Sequence, residues 1–162
     1  MIRAIFLDVD GTLISFSTHE IPASALRALA QAHERGVRLF IATGRAANDL
    51  GPLEGILYDG VVSLNGARCV ANDGRVVSLH PIPRADFERA LALSEEQGFA
   101  MGLELEEGVF VNRVTPDVER VAHMVAHPVP EQTDLRELFG RVECCQLCFY
   151  FDAETQRRVM AE

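Results

Sequence analysis

A chain of 162 residues, 48% hydrophobic and 24% charged, can bury a core of its own and is unlike disordered or fibrous chains. Its formal net charge of −9 argues against nucleic acid and anionic membrane surfaces as partners, since both reward Lys/Arg-rich faces, but leaves room for a small phosphate ligand held by local amides and a metal. No segment approaches membrane-spanning length and Met1 to Leu7 is too short for a secretory signal, so the expectation is a cytoplasmic protein of one domain or two small ones.

The first element, Ile2 to Leu7, is a mostly apolar run that reads as a strand buried on both faces. It leads into Asp8-Val9-Asp10-Gly11-Thr12-Leu13. Carboxylates spaced two apart at a strand end point to the same side of the sheet, unless the turn at Gly11 has already begun. Anions so close repel each other unless a cation sits between them, most simply Mg2+. Gly11 lets the backbone bend and approach a ligand, while Thr12 adds a hydroxyl and an amide donor. The plain alternative is a solvated Asp/Gly turn. A calcium-binding EF-hand loop is excluded, because its sixth position would be Leu13 instead of Gly and its twelfth His19 instead of Glu.

Ser15 to Ile21 has no sustained period and reads as a loop. Pro22 suits a helix start, and Leu26, Leu29, Ala30 and His33 recur at helical spacing as far as Arg35, with Gly36 closing the helix. Val37 to Ala42 is a second strand, so strand, helix and strand imply a crossover into a parallel neighbour. It ends in Thr43-Gly44-Arg45, at the sheet edge where open α/β folds place ligands, and a Thr hydroxyl with free amides can hold a phosphate oxygen there. A plain strand-to-helix turn is the alternative. A second helix over Ala46 to Leu53 precedes a third strand, Val61 to Leu64, whose approach is bracketed by Gly55 and Gly60 and whose edge carries Asn65-Gly66-Ala67, itself a common turn.

These three strand ends together resemble the haloacid dehalogenase superfamily of aspartyl-phosphate phosphatases. Its first motif reads Asp-x-Asp-Gly-Thr-Leu, and the Thr-Gly-Arg and Asn-Gly-Ala sequences are similar to those of its Cof-type branch. The resemblance implies an α/β fold with a Rossmann-like parallel core, incomplete here, and an inserted α+β cap that selects substrates. It implies Mg2+ at Asp8 and the Asp10 carbonyl, Asp8 as nucleophile and Asp10 as acid/base. It places Thr43, with the amides near Val9, Asp10, Gly11 and Gly44, on the phosphate, and Asn65 and Gly66 at the pocket mouth. Arg45 would reach the substrate or pair with an acidic neighbour.

Beyond Ala67 the pattern changes. Ala67 to Val70 and Arg75 to Ser78 flank Asn72-Asp73-Gly74 as a hairpin. Two prolines between His80 and Pro83 suit a linker, so the expected division is residues 1–80 for the core portion and 81–162 for the cap. In the second part the sequence predicts a helix over Arg84 to Gln97 closed by Gly98, with Phe87, Ala90, Leu91 and Ser94 on one face. Paired strands Phe99 to Leu105 and Val109 to Asn112 follow, then a helix from Thr115 to Ala126 with an N-cap Thr, a loop His127 to Glu131, and a short helix Asp134 to Phe139. A strand over Val142 to Phe151 and a last helix capped by Asp152 complete it. Glu104, Glu106 and Glu107 read as a solvated turn.

Of the four cysteines, Cys144, Cys145 and Cys148 fall in the apolar Val142 to Phe151 run, and Cys69 lies apart. Cys145 and Cys148 would point to opposite faces of a strand, so buried thiols are the expectation over a zinc or redox site. His123 and His127 have helical spacing but no third ligand nearby.

The chain has no lysine, and the superfamily's Lys motif and later Gly-Asp-x-x-x-Asp motif do not occur in it. The expectation is therefore a portion of a longer magnesium-dependent phosphohydrolase acting on small phosphorylated metabolites such as sugar phosphates. Alternatives are a phosphomutase, an inactive binding module that keeps the cleft, or a chain completed by self-association or by a second chain.

Overall fold

The structure, a computed structural model, describes residues 2–15, 17–18, 20–53 and 56–161. The chain forms two compact units, Met1–His80 and Pro81–Glu162.

In the first unit the opening apolar run forms β1 (Ala4–Leu7), followed by α1 (Ala23–Glu34), β2 (Arg38–Ala42) and β3 (Gly60–Ser63). β4 (Arg68–Ala71) and β5 (Val76–Leu79) form the expected hairpin, and Gly74 at its turn has φ 83°, a conformation that favours glycine. The five strands lie in the order β1-β2-β3-β4-β5. β1, β2 and β3 are parallel, with Ala4 opposite Arg38 and Phe40 opposite Gly60, and β3-β4-β5 are antiparallel. The parallel trio brings three strand ends to one edge of the sheet.

One sheet face carries the core, where Val9, Leu13, Ile14, Ile41, Leu50, Leu53 and Val61 cluster with Leu29 of α1. β1 is not buried on both faces as its composition suggests. It is an edge strand, and Phe6, 61% exposed, stacks on Phe40 with ring centroids 4.9 Å apart, on the face away from that core. The apolar face of α1 is also rotated from the one its sequence suggests. Ala25, Leu29 and Ala32 are partly covered while Leu26 is 39% exposed.

The predicted helix over Ala46 to Leu53 does not form; the segment is irregular and ends in one turn of 3-10 helix, Gly51–Leu53. Ala46, Leu50 and Leu53 are nevertheless buried, so their helical spacing records burial alone. Asn48-Asp49 and Gly51-Pro52 supply turn-forming residues at short intervals, which explains the failure. Met1, then Phe16 and His19 in the Ser15 to Ile21 loop, and Gly55 before β3, lie outside the described residues.

In the second unit α2 (Arg84–Gln97) ends at Gly98 with φ 78° and buries Phe87, Leu91 and Ser94. β6 (Ala100–Leu105), β7 (Gly108–Val111), β8 (Glu131–Gln132) and β9 (Gln146–Tyr150) form a sheet in the order β8-β7-β6-β9, antiparallel except for β7 with β8. β8 occupies residues read from sequence as the end of a loop. α3 (Pro116–Met124) is capped by the Thr115 hydroxyl, which accepts from Val118 N. α4 (Leu135–Phe139) and α5 (Ala153–Val159) are capped by Asp134 and Asp152. Met101, Leu103 and Leu105 on one sheet face pack with Phe87, Leu91 and Leu135. On the other face, Ala100, Val111 and Tyr150 pack with Val118 of α3.

The cysteine-bearing strand is shorter than its apolar run, because β9 begins at Gln146. Cys144 is buried ahead of it, Cys69, Cys145 and Cys148 are partly buried, and none of the four is in a disulfide. Glu106 and Glu107 are an exposed turn, but Glu104 is partly buried on β6, where it accepts from Gln146 Nε2 at 2.5 Å and from the Cys148 thiol at 3.4 Å. His123 and His127 are exposed. Among the described residues no helix is long and apolar enough to cross a membrane.

Candidate active site

β1 stops at Leu7, so Asp8 and Asp10 belong to a tight turn instead of the strand. Gly11, at φ 79°, lets this turn fold back, and its N–H donates to the Ile14 carbonyl at 2.8 Å while Ile14 N–H donates to the Val9 carbonyl at 2.9 Å. Val9, Leu13 and Ile14 anchor the turn in the core, which leaves its polar side chains outward. The Thr12 hydroxyl donates to Asp8 Oδ2 at 2.9 Å. Asp10 instead engages Arg45, whose Nη2 donates to Oδ1 at 2.7 Å and Nε to Oδ2 at 2.9 Å. That charge-assisted contact holds the Asp10 carboxyl below, and the Arg45 guanidinium above, their ordinary ranges. The two carboxylates therefore have separate partners.

Thr43 is buried at the end of β2, and its Oγ1 accepts from Arg45 N at 3.1 Å. The next strand end is tied to it: Asn65 N donates to the Thr43 carbonyl at 3.2 Å and Leu64 N to the Arg45 carbonyl at 3.1 Å. Leu64, Asn65 and Gly66 all have positive φ, 49°, 54° and 94°, a run that only glycine adopts without strain. This bend lays the Asn65 side chain against Gly44, where a Cβ would sit 3.1 Å from Asn65 Oδ1. Asp8 and Asp10, Thr43 to Arg45, and Asn65 and Gly66 are thus carried by the ends of three adjacent parallel strands, with hydrogen bonds joining the second end to each of the others.

Beside Asp10, Arg45 has a second acidic neighbour in Asp49. Arg45 Nη1 donates to the Asp49 carbonyl at 3.3 Å and lies 3.6 Å from Asp49 Oδ2. The spacing of four residues was a signal for this pair, but through a helix that does not form.

The donor chemistry at Asp8 fits a hard divalent cation. Among the described residues it is a carboxylate held by one neutral hydroxyl and no cationic side chain. No group of three or more His, Cys, Asp or Glu that could hold a metal gathers among the described residues. The chain thus offers part of an oxygen shell, which suits Mg2+ because that ion keeps several waters and takes phosphate oxygens.

A parallel trio whose strand ends carry a paired-aspartate turn and a Thr-Gly-Arg loop defines an α/β protein with a Rossmann-like core. The chain belongs to the family of haloacid dehalogenase-like hydrolases, whose model matches residues 5–162. Among solved structures it is similar to BT1666 of Bacteroides thetaiotaomicron, described as a phosphatase of the haloalkanoate enzyme superfamily. Identity is 53% and the TM-score 0.93, over 99% of this chain and 60% of that one. BT4131, described as a subclass IIB sugar phosphatase of the same superfamily, is 29% identical with a TM-score of 0.82, over 98% of this chain and 62% of that one. YkrA of Bacillus subtilis (strain 168) is 30% identical over 95 residues, 58% of this chain and 36% of that protein. The chain therefore spans about 60% of the length of the solved relatives it matches.

Proposed function

We propose that the protein is a cytoplasmic, magnesium-dependent phosphohydrolase for small phosphorylated metabolites such as sugar phosphates, with residues 1–80 as the catalytic core portion and 81–162 as a cap. The observation that carries this reading is the division of labour between the two aspartates: among the described residues the Asp8 carboxylate is held by a hydroxyl alone, and Asp10 is gripped by a guanidinium.

Asp8 attacks phosphorus in line through a carboxylate oxygen and displaces the leaving oxygen, forming an aspartyl-phosphate that splits a hard hydrolysis into two steps. Thr12, on Oδ2, orients that attack. Asp10, which Arg45 holds as a carboxylate, takes a proton from the attacking water in the second step, and its delivery of a proton to the leaving oxygen in the first step requires the Arg45 contact to yield. Thr43 and the amides near Val9, Asp10 and Gly44 hold the transferring oxygens, whereas the Gly11 N–H is already spent on the Ile14 carbonyl, and Asn65 and Gly66 lie at the substrate side. The Asp8 carboxylate and Asp10 carbonyl would hold Mg2+, which supplies charge screening for the phosphoryl group.

A second reading, a binding module that keeps the cleft without turnover, is favoured by one observation: all 15 of the chain's Lys and Arg residues are arginine, so no lysine balances the charge beside Asp8. Magnesium-dependent phosphate release from a generic aryl phosphate, with Asp8→Asn as control, separates the two. Turnover that disappears in the control supports the enzyme; metal binding with no turnover supports the module.

A further inference from the structure

Arg45 is a long side chain whose backbone is fixed and whose head must be placed. Its N–H is held by Thr43 Oγ1 at 3.1 Å and its carbonyl by Leu64 N at 3.1 Å. At the far end, the Nε and Nη2 edge of the guanidinium faces Asp10, and Nη1 faces Asp49. A planar fork with one edge on each acid can neither rotate about its last bonds nor slide along the Asp10 carboxylate. Asp49 lies outside every motif in the chain, on the irregular segment after Thr43-Gly44-Arg45.

We propose that Asp49 is a positioning residue: by holding Nη1 of Arg45 it fixes the fork that grips both oxygens of Asp10, and so sets the direction in which Asp10 faces a substrate. The proposal rests on the phosphohydrolase reading for its consequence in catalysis, but its geometry does not. The two contacts from Asp49 are separable. The backbone carbonyl at 3.3 Å survives any substitution, whereas the ion pair with the carboxylate at 3.6 Å is lost in Asp49→Ala and its charge is kept in Asp49→Glu.

The test uses the 162-residue chain and two readouts. In nitrogen-15 edited NMR the Arg45 Nε–H resonance, assigned by its loss in Arg45→Lys, reports the grip on Asp10 directly. Asp49→Ala is expected to speed its solvent exchange several-fold and move it toward the free-arginine position, and Asp49→Glu, which keeps the charge, to restore it. In phosphate release, Asp49→Ala is expected to lower kcat by roughly three- to tenfold with KM within about twofold, again restored by Asp49→Glu, because a misaimed acid/base slows chemistry without weakening binding. An unchanged Nε–H resonance in Asp49→Ala overturns the proposal, as does a rise in KM at constant kcat. Should the unaltered chain release no phosphate, the functional reading of this chain fails, and the NMR comparison alone still decides whether Asp49 sets the fork.

Discussion

Both carboxylate oxygens of Asp10 are held by one side chain, Arg45, 35 residues further along, at 2.7 and 2.9 Å. The pair ties the loop after β1 to the loop after β2, and two parallel contacts fix orientation as well as distance.

Replacing Arg45 by Lys keeps the charge and removes the fork. Phosphate release should fall by roughly 10- to 100-fold, the range over which misplaced catalytic groups act. Stability at neutral pH should change little, because the Arg45 and Asp10 side chains are 26% and 43% exposed and such pairs contribute at most about 1 kcal/mol. Arg45 depresses the Asp10 pKa, first through its hydrogen bond and also through its charge, and burial opposes this in part. A depressed folded-state value stabilises above the ordinary 3.8 and is lost as pH falls through the lower folded value. The small Tm difference between wild type and Arg45→Lys should therefore shrink in acid; a difference that grows below pH ~4 would contradict this assignment.

Gly44 and Asn65 offer a separate handle on the site. A Cβ at Gly44 would meet Asn65 Oδ1 at 3.1 Å and Nδ2 at 3.4 Å, which are side-chain atoms that can yield. Gly44→Ala should leave stability within about 1 kcal/mol while shifting the Asn65 amide and raising KM several-fold. Steady-state kinetics alongside urea denaturation checks both halves, and unchanged KM would remove Asn65 from the substrate side.

Gly60 is different because its neighbours are backbone. A Cβ there would stand 2.8 Å from the Val70 carbonyl oxygen and 3.4 Å from Ala71 Cα, where β3 meets β4. Gly60→Ala should lose more than about 2 kcal/mol by forcing the strands apart. Gly51→Ala meets nothing within 4 Å and should be neutral or slightly stabilising. The comparison is made by urea unfolding, and equal midpoints for the two variants would refute the packing argument.

The sequence pattern was most informative where one local rule decided the structure. The Thr115, Asp134 and Asp152 caps, Gly98 after α2 and the Asn72-Asp73-Gly74 hairpin follow from short-range chemistry, and each forms. The placement of Asp8, Thr43 and Asn65 at three successive strand ends was legible for the same reason, since each stands just after an apolar run. What depends on distant neighbours was not. Ala46, Leu50 and Leu53 carry helical spacing because each is buried, not because the backbone is helical. Phe6 looks like a core residue and is exposed because β1 is an edge strand. The positive φ of Leu64 has no residue-type signal at all, and Glu104 reads as a solvated acid until β9 brings Gln146 and Cys148 against it.

That last cluster gives the second unit an alkaline limit. Burial, then the nearby Glu104 carboxylate, pushes the Cys148 thiol from an ordinary 9.0 up to about 12, and burial also raises Cys144 and Tyr150. A group whose folded-state pKa is raised stabilises fully below its unfolded value, and that contribution is lost as pH rises through the folded one. Stability should therefore decline from about pH 9 towards pH 12, as unfolded thiols and phenols ionise while the folded ones resist. Cys148→Ala should flatten this decline in urea midpoints between pH 8 and pH 10.5. In the native protein at pH ~8.5, Cys148 should also resist alkylation, because its thiol is neutral there and only the thiolate reacts. Peptide mapping after iodoacetamide reads this out: labelling of Cys148 at the rate of a denatured control would show that the thiol is neither buried nor held by Glu104.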